Sequence, residues 1–123
     1  VMQYASYARS IYPQKRVLRP SDVSFASICA KEAACREAQI HYLKIIEDIE
    51  TTPELLTTLT AYLLDHESSM ANTAKALCCH INTIKYRLNS IRDNTGYSPS
   101  KPADVYPLLI AVAINRMKNS ENE

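Results

Sequence analysis

The chain has 123 residues, of which 46% are hydrophobic and 22% are charged, a composition that is typical of an ordinary globular domain. At this length, one domain can bury a core that needs no disulfide or metal to hold it. No apolar run approaches the roughly 18–20 residues of a membrane-spanning helix, and no secretory signal is visible. The sequence opens at Val1 rather than at a methionine, so we expect a fragment of a longer protein.

The net charge of +1 is unevenly distributed along the chain. Residues 1–67 contain seven basic and nine acidic residues, whereas residues 68–118 contain seven basic and only two acidic ones. A basic C-terminal half indicates a polyanionic partner, although a solvated protein face can have the same composition.

The chain has four cysteines, and no two of them form a CxxC pair. Cys78, Cys79 and His80 are adjacent, and adjacent residues cannot easily all reach one tetrahedral zinc ion. We therefore interpret the cysteines as reduced thiols of a cytoplasmic protein, and we expect no bound metal and no cofactor.

The first 50 residues are predicted to be mostly helical. Residues 1–20 include a short extended stretch that has no second strand to pair with, and we interpret them as the remnant of a preceding domain. Ser21 and Asp22 favour the start of a helix. Helices are predicted at 22–33 and 35–50, and residues 21–50 are assigned to linker helices.

Residues 51–118 are predicted to form the next domain, without any substantial sheet, and residues 119–123 are predicted to be a disordered tail. Gly96 lies where the C-terminus of a helix favours a left-handed residue. Apolar residues recur at helical spacing throughout this region. The helices predicted here cover residues 53–66, 70–77, 81–94 and 103–118.

The most informative stretch is residues 73–88. Ala74 and Leu77 are followed by a break of three or four residues and then by the Asn82-Thr83-Ile84 run. Because Ala74 is small, two helices can approach closely, and because the break is short, the second helix cannot fold back antiparallel to the first. The spacing predicts a helix-turn-helix at residues 70–93, with the outer face of the second helix open to solvent.

That second helix has one apolar stripe and one polar face. At 100° per residue, Leu88 and Ile91 fall within about 40° of Ile84. The opposite side and its flanks carry Asn82, Lys85, Tyr86, Asn89 and Arg92. Asparagine can pair with adenine, lysine with guanine or phosphate, and tyrosine with phosphate. The pattern therefore predicts a helix that contacts the major groove of DNA, although composition alone also fits a solvated helix face.

Residues 54–93 resemble the C-terminal domain of the PucR/CdaR family of bacterial transcription regulators. The resemblance rests on the runs Glu-Leu-Leu-Thr-Thr-Leu-x-Ala-Tyr-Leu and His-x-Asn-Thr-Ile-Lys-Tyr-Arg-Leu-x-x-Ile. It implies an all-α fold with a Fis-like helix-turn-helix, sequence-specific binding to double-stranded DNA, and a small-molecule effector bound by domains absent from this chain. Two residues depart from the family pattern: Ile81 stands where a basic residue is common, and Cys78 stands where many such turns carry glycine.

The candidate DNA-binding residues are His80, Ile81, Asn82, Thr83, Lys85, Tyr86, Arg87, Asn89 and Arg92. His80 and Asn82 are also plausible helix caps, and Arg87 is equally compatible with a salt bridge inside the domain. The sequence contains no catalytic constellation, so we do not expect an enzyme.

Assembly is the last expectation. One helix-turn-helix reads only a few base pairs, so useful specificity usually needs a dimer on two half-sites. We expect the helix at 103–118 to complete the core. The helix at 35–50 is then predicted to form a homodimer contact through Ile40, Leu43 and Ile46. The alternative reading of the chain is a helical protein-interaction module that does not bind DNA.

Overall fold

The structure is a computed structural model that describes residues 2–121, with the side chains of residues 5–120. Within this range it contains eight α-helices and no strand, which confirms the predicted all-α fold. A π-helical turn, Ala61–Asp65, lies between the fifth and sixth helices. The α-helices are α1 Met2–Ile11, α2 Pro20–Ala34, α3 Arg36–Ile45, α4 Glu47–Glu50, α5 Pro53–Thr60, α6 Met70–Ala76, α7 Ile81–Thr95 and α8 Pro102–Glu121.

The last helix, α8, lies at the centre of the fold. Leu108 and every residue from Ile110 to Ile114 are fully buried, as expected for a helix that is apolar on all sides. It packs against α1, α2, α3, α5 and the π-helical turn. The predicted helix at 103–118 therefore does complete the core. It also continues to Glu121, into the stretch predicted to be a tail, of which residues 122 and 123 lie outside the described residues.

The N-terminal helices pack against the same core. Ala8 and Ile11 of α1 and Ala26 and Cys29 of α2 are fully buried. Burial in this apolar setting raises the pKa of the Cys29 thiol to about 12, so the group stays neutral. α1 contacts α2 and α8. The division of the chain into a remnant, linker helices and a following domain stays a prediction.

The predicted helix at 35–50 is broken at Ile46, where the backbone leaves the helical region at φ −98° and ψ 3°. This break lets α3 pack on α8 while α4 packs on α5 and α7. Ile46 is fully buried, so its predicted place in a homodimer contact is wrong, because it belongs to the core of its own chain. Ile40 remains 54% exposed.

The predicted helix at 53–66 forms, but its last turn widens into a π-helix. The His66 N–H donates to the Ala61 carbonyl at 2.9 Å, and the Ser68 N–H donates to the Tyr62 carbonyl at 2.8 Å. All four residues from Ala61 to Leu64 are buried, which is more than one narrow helical stripe would bury. Glu67 and Ser68 then adopt positive φ and direct the chain into α6.

None of the helices within residues 2–121 has both the length and the hydropathy that crossing a membrane requires.

Candidate nucleic-acid interface

The first helix of the predicted helix-turn-helix, α6, begins at a side-chain cap. The Ser69 hydroxyl accepts a hydrogen bond from the Asn72 N–H at 3.1 Å. Thr73 and Ala74 are buried on the inner side of the helix. α6 packs against α7, so the two helices form one unit.

The turn between α6 and α7 is closed by Cys78 in the left-handed region, with φ +55°. The Cys79 N–H donates to the Ala74 carbonyl at 3.0 Å, and the Cys78 N–H donates to the Lys75 carbonyl at 3.2 Å. This pair of bonds is the Schellman motif, which usually has glycine at the left-handed position. Cys78 thus occupies a left-handed position that glycine would occupy without steric cost.

His80 caps the start of α7. Its ring Nδ1 accepts a hydrogen bond from the Asn82 N–H at 3.0 Å, while the Asn82 side chain stays exposed. At the other end, Gly96 has φ +81°, and its N–H donates to the Arg92 carbonyl at 2.9 Å. The sequence predicted the Gly96 end correctly, and of the two candidate caps at the start the structure selects His80.

The buried stripe of α7 consists of Ile84, Leu88 and Ile91, as predicted from their spacing. This stripe holds α7 against α4, α5 and α6. The opposite face is exposed, and Tyr86 keeps 72% of its surface accessible. The predicted site residues on this exposed face are Asn82, Lys85, Tyr86, Asn89 and Arg92.

The remaining candidates lie at the edges of that face. Arg87 is half-buried and donates from Nη1 to the Thr58 hydroxyl at 3.2 Å, so its partner within the domain is a hydroxyl rather than a carboxylate. Thr58 is fully buried and itself donates to the Glu54 carbonyl at 2.6 Å. Ile81 is half-buried against the core, and Thr83 is half-buried as well.

A cleft of about 240 Å³ borders the exposed face of α7. Lys85, Asn89 and Arg92 line it on one side, and the loop from Ser98 to Ser100 lines it on the other. Sequence reasoning did not assign this loop to the site, although its Ser-Pro-Ser run directly follows Tyr97 and the end of α7. The loop is held by the Ser98 N–H, which donates to an Asp104 carboxylate oxygen at 3.0 Å.

No group of three or more His, Cys, Asp or Glu side chains in the described part of the chain is arranged to hold a metal ion. Cys78 is exposed and Cys79 is half-buried, and both are free thiols. The absence of a bound metal stays a prediction.

Comparison with known proteins bears on the same region. Residues 55–114, from α5 into α8, match the family model of the PucR C-terminal helix-turn-helix domain. The chain is also similar to an uncharacterized protein of Mycobacterium bovis and to uncharacterized proteins from two strains of Mycobacterium tuberculosis, each 40% identical over 65 residues. These matches cover 53% of this chain but only 16% of each relative. No solved structure matches the chain significantly.

The helix pair described above lies inside the segment that matches the family model. α6 and α7 are joined by a short turn, packed through a buried stripe, and leave one polar face of α7 exposed. The resemblance predicted from the sequence is therefore confirmed: residues 55–114, which include both helices, are similar to the PucR C-terminal helix-turn-helix domain.

Proposed function

We propose that α7 enters the major groove of duplex DNA and reads its sequence through the exposed polar face. The observation that carries the proposal is the exposure of Asn82, Lys85 and Tyr86 on the first turns of a helix whose other side is anchored in the core. The major groove is about 12 Å wide, and an α-helix with its side chains is about 10–12 Å across. Because α7 is held to the core by its buried stripe, its opposite face can enter the groove while the rest of the domain stays folded.

The side chains on this face differ in what they can recognise. The Asn82 amide can pair with the N6 and N7 edge of adenine, and the Lys85 ammonium can donate to guanine. Asn89 lies about two turns after Asn82 on nearly the same side of α7, so it can contact a base further along the groove. Tyr86, which is 72% exposed, can donate its hydroxyl to a phosphate.

Three other candidates are assigned to the DNA backbone, and two are assigned to the packing of α7. His80 accepts at Nδ1 within the cap, so its neutral ring carries the proton on Nε2, where it can donate to a phosphate oxygen. Thr83 and Arg92 are assigned phosphate contacts as well. Arg87 and Ile81 act mainly by holding α7 in place, because one is bonded to Thr58 and the other packs on the core.

In the whole protein, this domain would act in the cytoplasm as one part of a larger bacterial regulator that senses a small molecule elsewhere. The matched segment covers only 16% of each relative, which leaves ample length for such domains there. A homodimer would place two copies of α7 on half-sites about 34–36 Å apart. On α3, Ile40 is exposed enough to contribute to that contact.

The test is selection of binding sites from a random duplex library, followed by variants on the selected site. Asn82→Ala and Lys85→Ala should each weaken specific binding by about 1–3 kcal/mol, with a smaller effect on random DNA. Lys118→Ala, an exposed cation at the far end of α8, is the matched control and should leave specific binding unchanged. Unchanged affinity in both Asn82→Ala and Lys85→Ala would reject the assigned face.

A helical protein-interaction module is the second candidate, and the exposed Ile40 is the observation that favours it. Salt separates the two functions. DNA binding should weaken steeply as salt rises, since each neutralised phosphate releases counterions, whereas apolar association should not. Sedimentation of the chain alone and on DNA with paired sites measures both. A monomer that binds paired sites without cooperativity would reject the homodimer for this chain.

A further inference from the structure

The cleft beside α7 combines two kinds of surface that DNA binding does not require together. Its floor is apolar and consists of Tyr62, Met70, Leu88 and Pro99, three of them buried and Met70 half-buried. Its rim consists of exposed residues that carry two cations, an amide and a hydroxyl, from Lys85, Arg92, Asn89 and Ser100, whereas Ser98 is buried. None of the lining residues in the described part of the chain is acidic.

We propose that this cleft is a binding site for a small amphipathic monocarboxylate, such as an aromatic acid. The apolar group would lie on the floor, and the carboxylate would pair with Arg92 and Lys85 at the rim. A concave apolar pocket with a few polar groups at its edge is the usual form of a small-molecule site. A DNA phosphate could use the cations but has no group for the floor, so the floor favours an amphipathic ligand.

Size and charge limit the ligand further. A cleft of about 240 Å³ that is open to solvent suits a ligand with one small ring and one acidic group, such as benzoate, rather than a larger molecule. The planar guanidinium of Arg92 matches a carboxylate better than an ammonium does. Arg92 is already paired with Asp93 at 3.3 Å, but both side chains are more than half exposed, and such surface pairs contribute little stability.

Binding in the cleft would compete with DNA, a consequence that rests on the proposed function. Lys85, Asn89 and Arg92 line the cleft and also lie on the face assigned to DNA. A ligand that neutralises the two cations and fills the space beside them therefore excludes the phosphate or base that they would contact. At ten times its own Kd, such a ligand should weaken DNA binding about elevenfold.

The site can be tested without DNA by methyl NMR of the methionines. Met70 lies on the cleft floor, whereas Met117 is buried in the core away from the cleft and serves as an internal control. Benzoate should shift the Met70 methyl through its ring current, with a Kd of about 1 mM for a ligand of this size, and should leave Met117 in place. Benzamide, which lacks the charge, and acetate, which lacks the ring, should each bind at least tenfold more weakly.

Two variants complete the test. Arg92→Gln should reduce benzoate affinity at least fivefold while Lys118→Gln, a cation outside the cleft, should not change it. No Met70 shift with benzoate, an equal shift with benzamide, or equal shifts of Met70 and Met117 would each overturn the site. If benzoate binds as described but DNA affinity is unchanged at matched ionic strength, competition is overturned. A failure of DNA binding itself would leave the methyl experiment intact, so the two proposals can fail separately.

Discussion

The two edges of α7 each carry an arginine, and the two arginines have different environments. Arg87 is half-buried and donates to the buried Thr58 hydroxyl of α5. Arg92 is exposed, forms an ion pair with its neighbour Asp93, and lines the open cleft. On a helical wheel they lie about 60° and 80° from Ile84 on opposite sides, so their angle from the buried stripe hardly separates them. The difference teaches that a neighbouring helix decides how far each arginine stays exposed, because Thr58 of α5 holds Arg87 whereas Arg92 pairs with an exposed acid on its own helix.

The largest effect on stability should come from shortening one side chain of the buried stripe that holds α7 in the core. Ile84 is fully buried, so Ile84→Ala should lower the free energy of unfolding by about 2–4 kcal/mol through lost burial and the cavity left behind. Urea unfolding measures this. Ile84→Val, the conservative control, should cost only about 1 kcal/mol. A loss below 0.5 kcal/mol, on the order of a surface substitution, would contradict the placement of α7.

Arg87→Ala should remove the hydrogen bond to Thr58 and leave the side of α7 that carries Arg92 unchanged. The variant removes the donor to a hydroxyl that cannot reach water, so the free energy of unfolding should fall by about 1 kcal/mol. Specific DNA affinity, measured well below the unfolding temperature, should change little. Arg87→Lys is the matched control and should recover part of the stability. A large loss of DNA affinity without loss of stability would make Arg87 a DNA contact instead.

Cys78→Gly tests the left-handed turn that orients α7 relative to α6. Glycine adopts φ +55° without steric cost, so the variant should be more stable by up to about 1 kcal/mol, with unchanged DNA affinity. Part of the gain is offset because glycine also frees the unfolded chain. Cys78→Val, with a β-branched side chain at positive φ, should be destabilised. Destabilisation by glycine would contradict the left-handed turn.

Arg92→Gln should have the smallest effect on stability, within about 0.5 kcal/mol, because the side chain is exposed and its partner is a neighbouring surface acid. Its effect should appear in DNA binding. Affinity should fall to a similar extent for the selected site and for random DNA, and the slope of log affinity against log salt should decrease by about 0.9. A loss confined to the selected site would instead assign Arg92 to a base.

The sequence predicted the helices and the buried face of α7 well, because both follow from local periodicity. The spacing of Ile84, Leu88 and Ile91 identifies the stripe, and Gly96 marks the end of α7 because glycine adopts a positive φ without steric cost. These features depend on residues close together in the chain, so no tertiary information was needed to find them.

Features that depend on distant partners were not predicted. The break at Ile46 forms because α3 and α4 pack against different helices, and no glycine or proline marks it. The bond from Arg87 to Thr58 joins residues 29 positions apart. The cleft requires the Ser98–Ser100 loop to return beside Lys85, which no spacing within α7 reveals. The left-handed turn at Cys78 was obscured because the residue is not the usual glycine.

Arg116 of α8 connects three parts of the chain through one guanidinium. Its Nη1 donates to the carbonyl of Ile11 at the end of α1, and its two terminal nitrogens bond the Asp65 carboxylate at 2.7 and 2.9 Å. Asp65 is the last residue of the π-helical turn, a few residues before α6 begins. A force that pulls α1 away from α8 therefore strains the contact that fixes the entry to the helix-turn-helix. A mechanical load on the N-terminal region would therefore reach the base of the helix-turn-helix through Arg116 and, in parallel, through the ion pair of Arg19 with Glu67.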